Sequence, residues 1–143
     1  MSKYTLESCT VETLDRVNLG TRFFKAKEEI KDNIVIVLVH PYPILGGCQA
    51  LLKGIASGLA EKGYKAVTFD MRGVGRSTGR ASFTGFAEFK DVIAVCNWVS
   101  RNLSSDKILL VSSSAACISE SCSHRHQKMD ETYLKGCLRP SYS

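Results

Sequence analysis

Three consecutive serines follow a short apolar segment and offer a nucleophile. The segment 108–111 has the length and composition of a buried strand, and Ser112, Ser113 and Ser114 come directly after it. Small residues at the end of a strand allow the sharp turn into a helix that exposes a hydroxyl at the edge of a sheet. Such a turn would present Ser114 for acyl transfer. The alternative interpretation is an ordinary polar turn after a strand.

A glycine-rich loop is the second chemical candidate. Gly73, Gly75 and Gly79 form a G-x-G-x-x-x-G pattern after a predicted strand, and this pattern is similar to a phosphate-binding loop. A nucleotide site is disfavoured because no helix is predicted to begin at these glycines. The loop also does not follow the first strand of the predicted parallel set, as a dinucleotide-binding loop does. A structural turn that uses positive φ angles is the simpler interpretation.

The last part of the chain carries side chains of the kind that bind metal ions. They are Cys117, Cys122, His124, His126 and Cys137. Their C-x4-C-x-H-x-H spacing matches none of the standard zinc sites, so we expect no metal and no cofactor. The segment 117–143 has neither a helical stripe nor strand alternation, which indicates a divergent, disordered tail.

Hydrophobic patterning predicts the elements that position these candidates. In chain order they are extended segments at 5–13 and 21–29, a strand at 34–40, a helix at 48–62, a strand at 66–70, a helix from Phe86 and a strand at 108–111. The strand at 34–40 is continuously apolar and β-branched, which is typical of a strand covered on both faces. In the helix at 48–62, Leu51 and Ile55 belong to the predicted apolar face. A strand, a helix and a strand at this spacing predict a crossover in a parallel sheet.

Composition and charge exclude several classes of function. The 143 residues include 19 Lys and Arg against 14 Asp and Glu, which gives a formal charge of +5, and the basic residues are scattered. Nucleic-acid binding is therefore not expected. No apolar run approaches the roughly 20 residues of a membrane span, and the N-terminus has no signal-peptide core. We expect no membrane association and a cytoplasmic location.

Three segments in succession resemble one known family. HPYPILGG at 40–47, DMRGVGRSTG at 70–79 and SSSAA at 112–116 are similar to the N-terminal part of a small, lidless α/β-hydrolase of the serine hydrolase type. The resemblance implies an α/β fold with a leading antiparallel hairpin, followed by parallel strands with crossover helices. It also implies an ancestral activity, the hydrolysis of an ester, amide or peptide bond by a serine nucleophile.

The resemblance assigns the reacting groups residue by residue. Ser114 matches the nucleophile at the centre of the family's G-x-S-x-G motif, although this chain has Ser and Ala in place of both glycines. The backbone N–H groups of Tyr42 and Ala115 match the two donors that stabilise the oxyanion of the tetrahedral intermediate.

A second group of residues is expected to shape loops rather than to react. They are His40, Asp70, Arg72, Gly73 and Gly75. His40 lies at the junction of its strand with the following loop and is expected to order that loop. The alternative for His40 is a catalytic base, but the matching histidine of the family is not the base. Asp70 and Arg72 are expected to hold the glycine-rich loop through charge-assisted hydrogen bonds.

The machinery that activates the nucleophile is not recognisable in this sequence. The family supplies an acid and then a histidine from later strand ends, whereas only 29 residues follow Ser114. His124 and His126 come 10 and 12 residues after Ser114, which is too close for two further strand–helix units. We therefore expect a truncated product, with a partial hydrolase domain over 1–116, a divergent tail over 117–143 and the C-terminal half of the fold missing.

Three functions follow as hypotheses. The first is a serine hydrolase family protein whose intact relatives act on small-molecule ester, amide or peptide substrates, but which is itself catalytically incompetent. The alternative is a non-catalytic interaction protein that uses the open edge of the strand at 108–111 for self-association, or for pairing with a full-length relative or a chaperone. The third is a nucleotide-binding module that uses the loop at 73–79.

Overall fold

The computed structural model describes residues 2–29, 33–41, 47–82, 86–103 and 105–112. Within these residues the chain forms five strands, a short 3₁₀ helix and two α-helices. In chain order they are β1 (Tyr4–Glu12), β2 (Asn18–Ala26), β3 (Ile34–Val39), the 3₁₀ helix (Gln49–Leu52), α1 (Lys53–Glu61), β4 (Lys65–Phe69), α2 (Phe86–Asn102) and β5 (Lys107–Ser112). The predicted tail at 117–143 and its boundary lie outside the described residues.

The five strands form one mixed sheet in the order β1-β2-β4-β3-β5. β1, β2 and β4 are successively antiparallel, whereas β3 is parallel to both β4 and β5. Val37 in the middle of β3 is paired with Val67 on one side and with Leu110 on the other. The predicted leading hairpin and parallel strands are therefore confirmed. β5 is the edge strand of the sheet that the described residues form.

A helix covers each face of the sheet, as the continuously apolar β3 predicts. On one face, α2 packs on the core with Val92, Val95 and Val99 against side chains such as Val37. On the other face, α1 packs with small residues against Phe24, Ile36 and Leu38. Among the described residues, none of the helices combines the length and the apolar character that a membrane crossing requires.

The first helix buries a narrower face than its periodicity predicts. Leu51 is 62% exposed and Ile55 is 55% exposed, so their prediction as core residues is wrong. The helix begins as a 3₁₀ turn, in which every third residue shares a face, and this turns Gln49 and Leu52 inward. Ala56 continues that inward line in α1. Small side chains on this line let the helix approach the sheet closely and leave the larger neighbours outside.

The turn between β1 and β2 carries an acidic residue to the α2 side of the sheet. Thr13 closes the turn, since its backbone N–H donates to the Val17 carbonyl at 2.9 Å and its Oγ1 accepts from the Val17 N–H at 3.0 Å. The Thr13 hydroxyl in turn donates to Oδ1 of Asp15 at 2.5 Å. These bonds hold the Asp15 carboxylate where it can meet the loop that follows β4.

Candidate active site

The carboxyl ends of the parallel strands meet at one edge of the sheet, and the predicted site residues follow these ends. Val39, the last residue of β3, is paired with Ser112, the last residue of β5. Neighbouring strands lie about 4.8 Å apart, so the two chain segments that continue toward Tyr42 and Ser114 leave the sheet side by side. Tyr42, Ser114 and Ala115 themselves lie outside the described residues.

His40 is buried directly after β3, and both of its ring nitrogens are engaged. Its Nε2 accepts the backbone N–H of Met71 at 2.9 Å, and its Nδ1 lies 2.6 Å from the carbonyl oxygen of Pro41. Because Nε2 accepts, the proton is on Nδ1 and is donated to that carbonyl. Burial lowers the pKa of His40, which favours this neutral form. His40 therefore has no free nitrogen with which to take a proton from a serine.

The chain on either side of the segment 42–46 comes into contact. A Cβ added at Gly47 would collide with the carbonyl oxygen of Pro41, the same oxygen that accepts the His40 Nδ1–H. Only glycine permits this approach of one backbone segment to another. The two residues that flank the segment expected to supply the first oxyanion donor, Pro41 and Gly47, are therefore held against each other.

Asp70 begins the loop that follows β4, which we call the β4 loop (residues 70–82). Its Oδ1 accepts the backbone N–H of Gln49 at 2.9 Å, and its Oδ2 accepts the Gln49 side-chain amide at 2.7 Å. The amide oxygen of Gln49 accepts from the Thr68 hydroxyl at 3.0 Å, and its nitrogen also donates to the Gly20 carbonyl at 3.1 Å. This cluster ties the β4 loop to the start of the first helix.

Arg72 lies two residues further along and has different partners. Its Nε and one terminal nitrogen donate to Oδ1 of Asp91 at 3.0 and 2.7 Å, and its backbone N–H donates to Oδ2 at 2.8 Å. The other terminal nitrogen donates to Oδ2 of Asp15 at 2.8 Å. The expected charge-assisted bonds are present, but they run to the β1–β2 turn and to α2, and Asp70 takes no part in them.

The charges of this second cluster stabilise one another. Burial by itself lowers the pKa of Arg72, but the hydrogen bonds and charges of Asp15 and Asp91 outweigh burial and hold the pKa above its usual value. The hydrogen bonds from Arg72, followed by the one from Thr13, hold the pKa of Asp15 well below its usual range. Arg72 and Asp15 are thus charged at neutral pH, whereas burial raises the pKa of Asp91 against the opposing effect of its hydrogen bonds from Arg72.

Two glycines make close approaches that shape the β4 loop. At Gly75, where φ is +52°, an added Cβ would lie 2.5 Å from Oδ2 of Asp70. At Gly73, where φ is +76°, an added Cβ would lie 2.7 Å from the backbone nitrogen of Ala81. A side chain at either position would displace the loop and strain its backbone.

Four backbone amides of the β4 loop donate hydrogen bonds within the structure. The N–H groups of Gly73, Val74 and Ser77 donate to carbonyls of the same loop, and that of Thr78 donates to the carbonyl of Asn18. A phosphate-binding loop instead points several free N–H groups at its ligand. These amides are therefore not available to a nucleotide phosphate.

Sequence reasoning missed the partners of the loop residues. Gln49, Asp91, Asp15 and Glu88 were assigned no role, yet Glu88 is 1% exposed and accepts the backbone N–H and the hydroxyl of Ser82 at 2.6 Å each. A signal for two of them exists, because Glu88 and Asp91 occur at helical spacing with the apolar side chains of α2. Carboxylates in an apolar stripe indicate buried partners. No comparable signal marks Asp15.

The described part of the chain contains no metal-binding group. No three of its His, Cys, Asp and Glu side chains lie together as ligands would. Cys9, Cys48 and Cys96 are present as free thiols. The Cys and His residues considered above as metal ligands, between 117 and 137, fall outside the described residues.

Three consecutive residues of the β4 loop thus join it to four other parts of the chain. Asp70 bonds to the segment before α1, Met71 bonds to His40 after β3, and Arg72 bonds to α2 and to the β1–β2 turn. The arrangement determines where the loops after β3 and β4 begin. The polar side chains in this arrangement already have hydrogen-bond partners. The arrangement therefore positions a site at the strand ends and does not itself react.

The sequence matches one family over most of its length. Residues 9–123 match the sequence profile described as X-Pro dipeptidyl-peptidase (S15 family). No curated protein gives a significant match.

Several solved structures are similar to the chain. An α/β serine hydrolase homologue from Coxiella burnetii is 31% identical, with a TM-score of 0.65, and the alignment covers 74% of this chain and 50% of that one. An α/β serine hydrolase without lid from Xanthomonas campestris is 24% identical, with a TM-score of 0.68 and coverages of 78% and 53%. For an esterase from Pyrococcus furiosus these values are 21%, 0.67, 85% and 48%. The chain therefore spans about half the length of these structures.

Proposed function

The chain belongs to the X-Pro dipeptidyl-peptidase (S15) family of α/β serine hydrolases, and from this premise we propose that its fold serves the hydrolysis of an ester, amide or peptide bond in the cytoplasm. In this proposal Ser114 is the nucleophile, and the backbone N–H groups of Tyr42 and Ala115 bind the oxyanion. His40, Asp70, Arg72, Gly73 and Gly75 position the surrounding loops.

The observation that carries this proposal is the register of β3 and β5 at the sheet edge. Val39 is paired with Ser112, so the segment with the proposed oxyanion donor and the segment with the proposed nucleophile start from adjacent strands. The hydrogen bonds of His40 to Pro41 and Met71 support the same geometry, because they hold the residues that precede the first of these segments against the β4 loop. An oxyanion donor is effective only when it is held in place before the reaction.

The proposed reaction follows the serine hydrolase scheme. The Ser114 hydroxyl attacks the carbonyl carbon, and the negative charge that develops on the carbonyl oxygen is stabilised by the N–H groups of Tyr42 and Ala115. A base must take the hydroxyl proton, and His40 is unsuitable because both of its nitrogens are already engaged. His124 and His126 follow Ser114 too closely in sequence to come from a later strand end.

We propose in addition that the 143-residue polypeptide by itself does not turn over substrate. Removal of the base from a serine triad costs several orders of magnitude in rate, even where the oxyanion donors remain. The proposal predicts a nucleophile that is in place but not activated. The protein should then react with a phosphonate without hydrolysing substrate repeatedly. Reaction with a phosphonate requires only a correctly formed turn at Ser114, whereas repeated hydrolysis requires the whole triad.

The experiment treats the purified chain with a fluorophosphonate and follows the adduct by intact-mass and peptide mass spectrometry. We expect slow formation of a single adduct on Ser114, loss of the adduct in Ser114→Ala and its retention in Ser113→Ala. Hydrolysis of p-nitrophenyl acetate and of Ala-Pro-p-nitroanilide, one ester and one X-Pro amide, should show no multiple turnover. Labelling on a different serine would contradict the assignment of the nucleophile, and multiple turnover would contradict the proposed lack of turnover.

A second candidate function is strand pairing with another copy of this chain. Within the described residues β5 is paired on one side only, with β3, and Val111 on this strand is 41% exposed. An apolar edge strand is a template for another strand. Sedimentation velocity should then show concentration-dependent dimers that Val111→Lys abolishes. The control Leu14→Lys changes a fully exposed residue of the β1–β2 turn and should leave association unchanged.

A further inference from the structure

A polar cleft lies on the α1 face of the sheet, away from the strand ends that carry the proposed nucleophile. Its volume is about 330 Å³, which falls within the range of small-molecule sites. β1, β2, Gln49 and the β4 loop form its walls. Arg22 on β2 is three strand spacings, about 14 Å, from β5, the strand that leads to the proposed nucleophile.

Strand register places the floor of the cleft on one face. Ser8 is paired with Arg22, and Arg22 is paired with Thr68 on its other side, so these three side chains form a row across β1, β2 and β4. Phe24, two residues from Arg22, belongs to the core under α1, which identifies this face as the α1 face. The row places the Arg22 guanidinium beside the Ser8 hydroxyl, while the buried Thr68 hydroxyl is already donated to the Gln49 amide oxygen.

A second guanidinium comes from the β4 loop. Arg76 lines the cleft opposite the strands, and its Cβ lies over Gly20, where an added Cβ would be 3.3 Å away. In the part of the chain that the structure describes, neither the Arg22 nor the Arg76 side chain has an ion pair or a hydrogen bond. Arg72 of the same loop, by contrast, binds two carboxylates.

The net charge that faces the cleft is positive. Arg22 and Arg76 contribute two positive charges, and Asp70 is the one acidic residue in the lining. Both oxygens of Asp70 accept hydrogen bonds from Gln49, and the residue is 6% exposed, so its charge is already partly compensated. Guanidinium groups bind carboxylate and phosphate oxygens in pairs of parallel hydrogen bonds.

We propose that this cleft is a binding site for a small oxyanion, either a phosphate or a carboxylate group, held by Arg22 and Arg76. The hydroxyls of Ser8 and Thr10, both on exposed positions of β1, supply further donors at its outer side. The site differs from a phosphate-binding loop, because its donors are side chains and not the loop amides. The proposed anion site does not involve Ser114, so the test of anion binding is independent of the test of the proposed hydrolysis.

The test uses two-dimensional ¹H–¹⁵N NMR of the full chain, titrated in parallel with inorganic phosphate and with acetate at constant ionic strength. We expect saturable shifts at the amides of residues 8–10, 20–22 and 75–76. Tighter binding of phosphate would assign a phosphoryl ligand, and tighter binding of acetate would assign a carboxylate. No saturable shift with either anion would overturn the proposal.

Substitutions distinguish specific anion binding in the cleft from nonspecific attraction of anions to a positively charged protein. Arg76→Gln and Arg22→Gln should each weaken binding by about tenfold or more, since each removes charge-assisted hydrogen bonds. The control Arg101→Gln removes an exposed arginine at the end of α2 and should change nothing. Arg76 is itself exposed, so its substitution leaves the fold intact, and unchanged shifts elsewhere in the spectrum verify this. Equal affinities in Arg76→Gln and Arg101→Gln would overturn the proposal.

Discussion

Asp70 and Arg72 stand two residues apart on the β4 loop and hold it in physically different ways. Both are 6% exposed, but Asp70 is bound by an uncharged partner, the amide groups of Gln49, whereas Arg72 is bound by the carboxylates of Asp15 and Asp91. The first cluster contains one charge and the second contains three. The two sides of the sheet should therefore respond differently when a partner is removed.

The difference between the two clusters shows that the ionic contacts of Arg72 determine the position of the β4 loop and that the neutral contacts of Asp70 make smaller adjustments to it. A buried charge that loses its partner must be desolvated without compensation, so an ionic cluster strongly disfavours every other arrangement of the loop. A neutral hydrogen bond has a smaller net value because water replaces it in the unfolded chain. We infer that Arg72 selects the position of the β4 loop against α2, and that Gln49 adjusts the opposite side.

Removal of the Arg72 charge should have the largest effect. Arg72→Met keeps much of the side-chain volume but leaves the fully buried carboxylate of Asp91 without its ionic partner. We expect the free energy of unfolding, measured by urea denaturation, to fall by about 3–5 kcal/mol. Arg101→Met, an exposed arginine on the same side of the sheet, serves as the control and should cost little. If Arg72→Met lowered the free energy of unfolding as little as the control does, the ionic cluster would not determine the position of the loop.

A methyl group at Gly75 should have the second largest effect. Gly75→Ala places a Cβ 2.5 Å from Oδ2 of Asp70 at a residue whose φ is +52°. We expect a loss of stability of about 1–3 kcal/mol in thermal or urea unfolding. Gly54→Ala in α1, where an added Cβ meets nothing within 4 Å, is the matched control and should be stabilising. If the two variants were equally stable, Asp70 would not confine the loop at this point.

Removal of the neutral partner should cost less than removal of the ionic one. Gln49→Ala takes away the amide that bonds Asp70 and the acceptor of the Thr68 hydroxyl, while the backbone N–H of residue 49 still donates to Asp70. We expect a loss of about 1–2 kcal/mol in the same urea experiment. A loss as large as that of Arg72→Met would show that the two clusters are equivalent, contrary to the comparison.

The pH dependence of stability should show the smallest effect, and it arises at Asp15. The folded-state pKa of Asp15 is below its unfolded value, so its stabilising contribution is fully present above about pH 4 and is lost as the pH falls below that value. Asp15→Asn should therefore flatten the acid limb of the stability profile, measured by urea unfolding between pH 3 and 7. The effect is modest because the side chain is 34% exposed. An acid limb as steep as that of the original chain would contradict this assignment.

Local patterns were sufficient for the elements of the fold. The apolar run of β3 predicted a strand covered on both faces, because only such a strand needs an apolar side chain at every position. The same reasoning failed for Leu51 and Ile55, since periodicity assumes α-helical geometry and the helix begins with a 3₁₀ turn. The direction in which a helix starts is determined by the sheet beneath it, which the local sequence does not encode.

The supporting residues were harder to predict than the elements. Arg72 and Asp15 are separated by 57 positions, and their contact depends on the β1–β2 turn and on the place of β4 beside β2. His40 was assigned to loop order from its place at the end of a strand and from the resemblance, whereas its hydrogen bond with Met71 depends on β3 and β4 being neighbours in the sheet. Pairings of this kind follow from topology, and charge or residue type reveals only that some partner is needed.

The contact between Gly47 and Pro41 has a consequence for how this part of the chain can change through evolution. Because the two backbone segments touch, the intervening stretch starts and finishes at nearly the same point in space. The entropy needed to close such a stretch grows only with the logarithm of its length, by about 0.6 kcal/mol per doubling. Insertions between these two residues are therefore inexpensive for the sheet, because the strand ends on either side of them stay where they are.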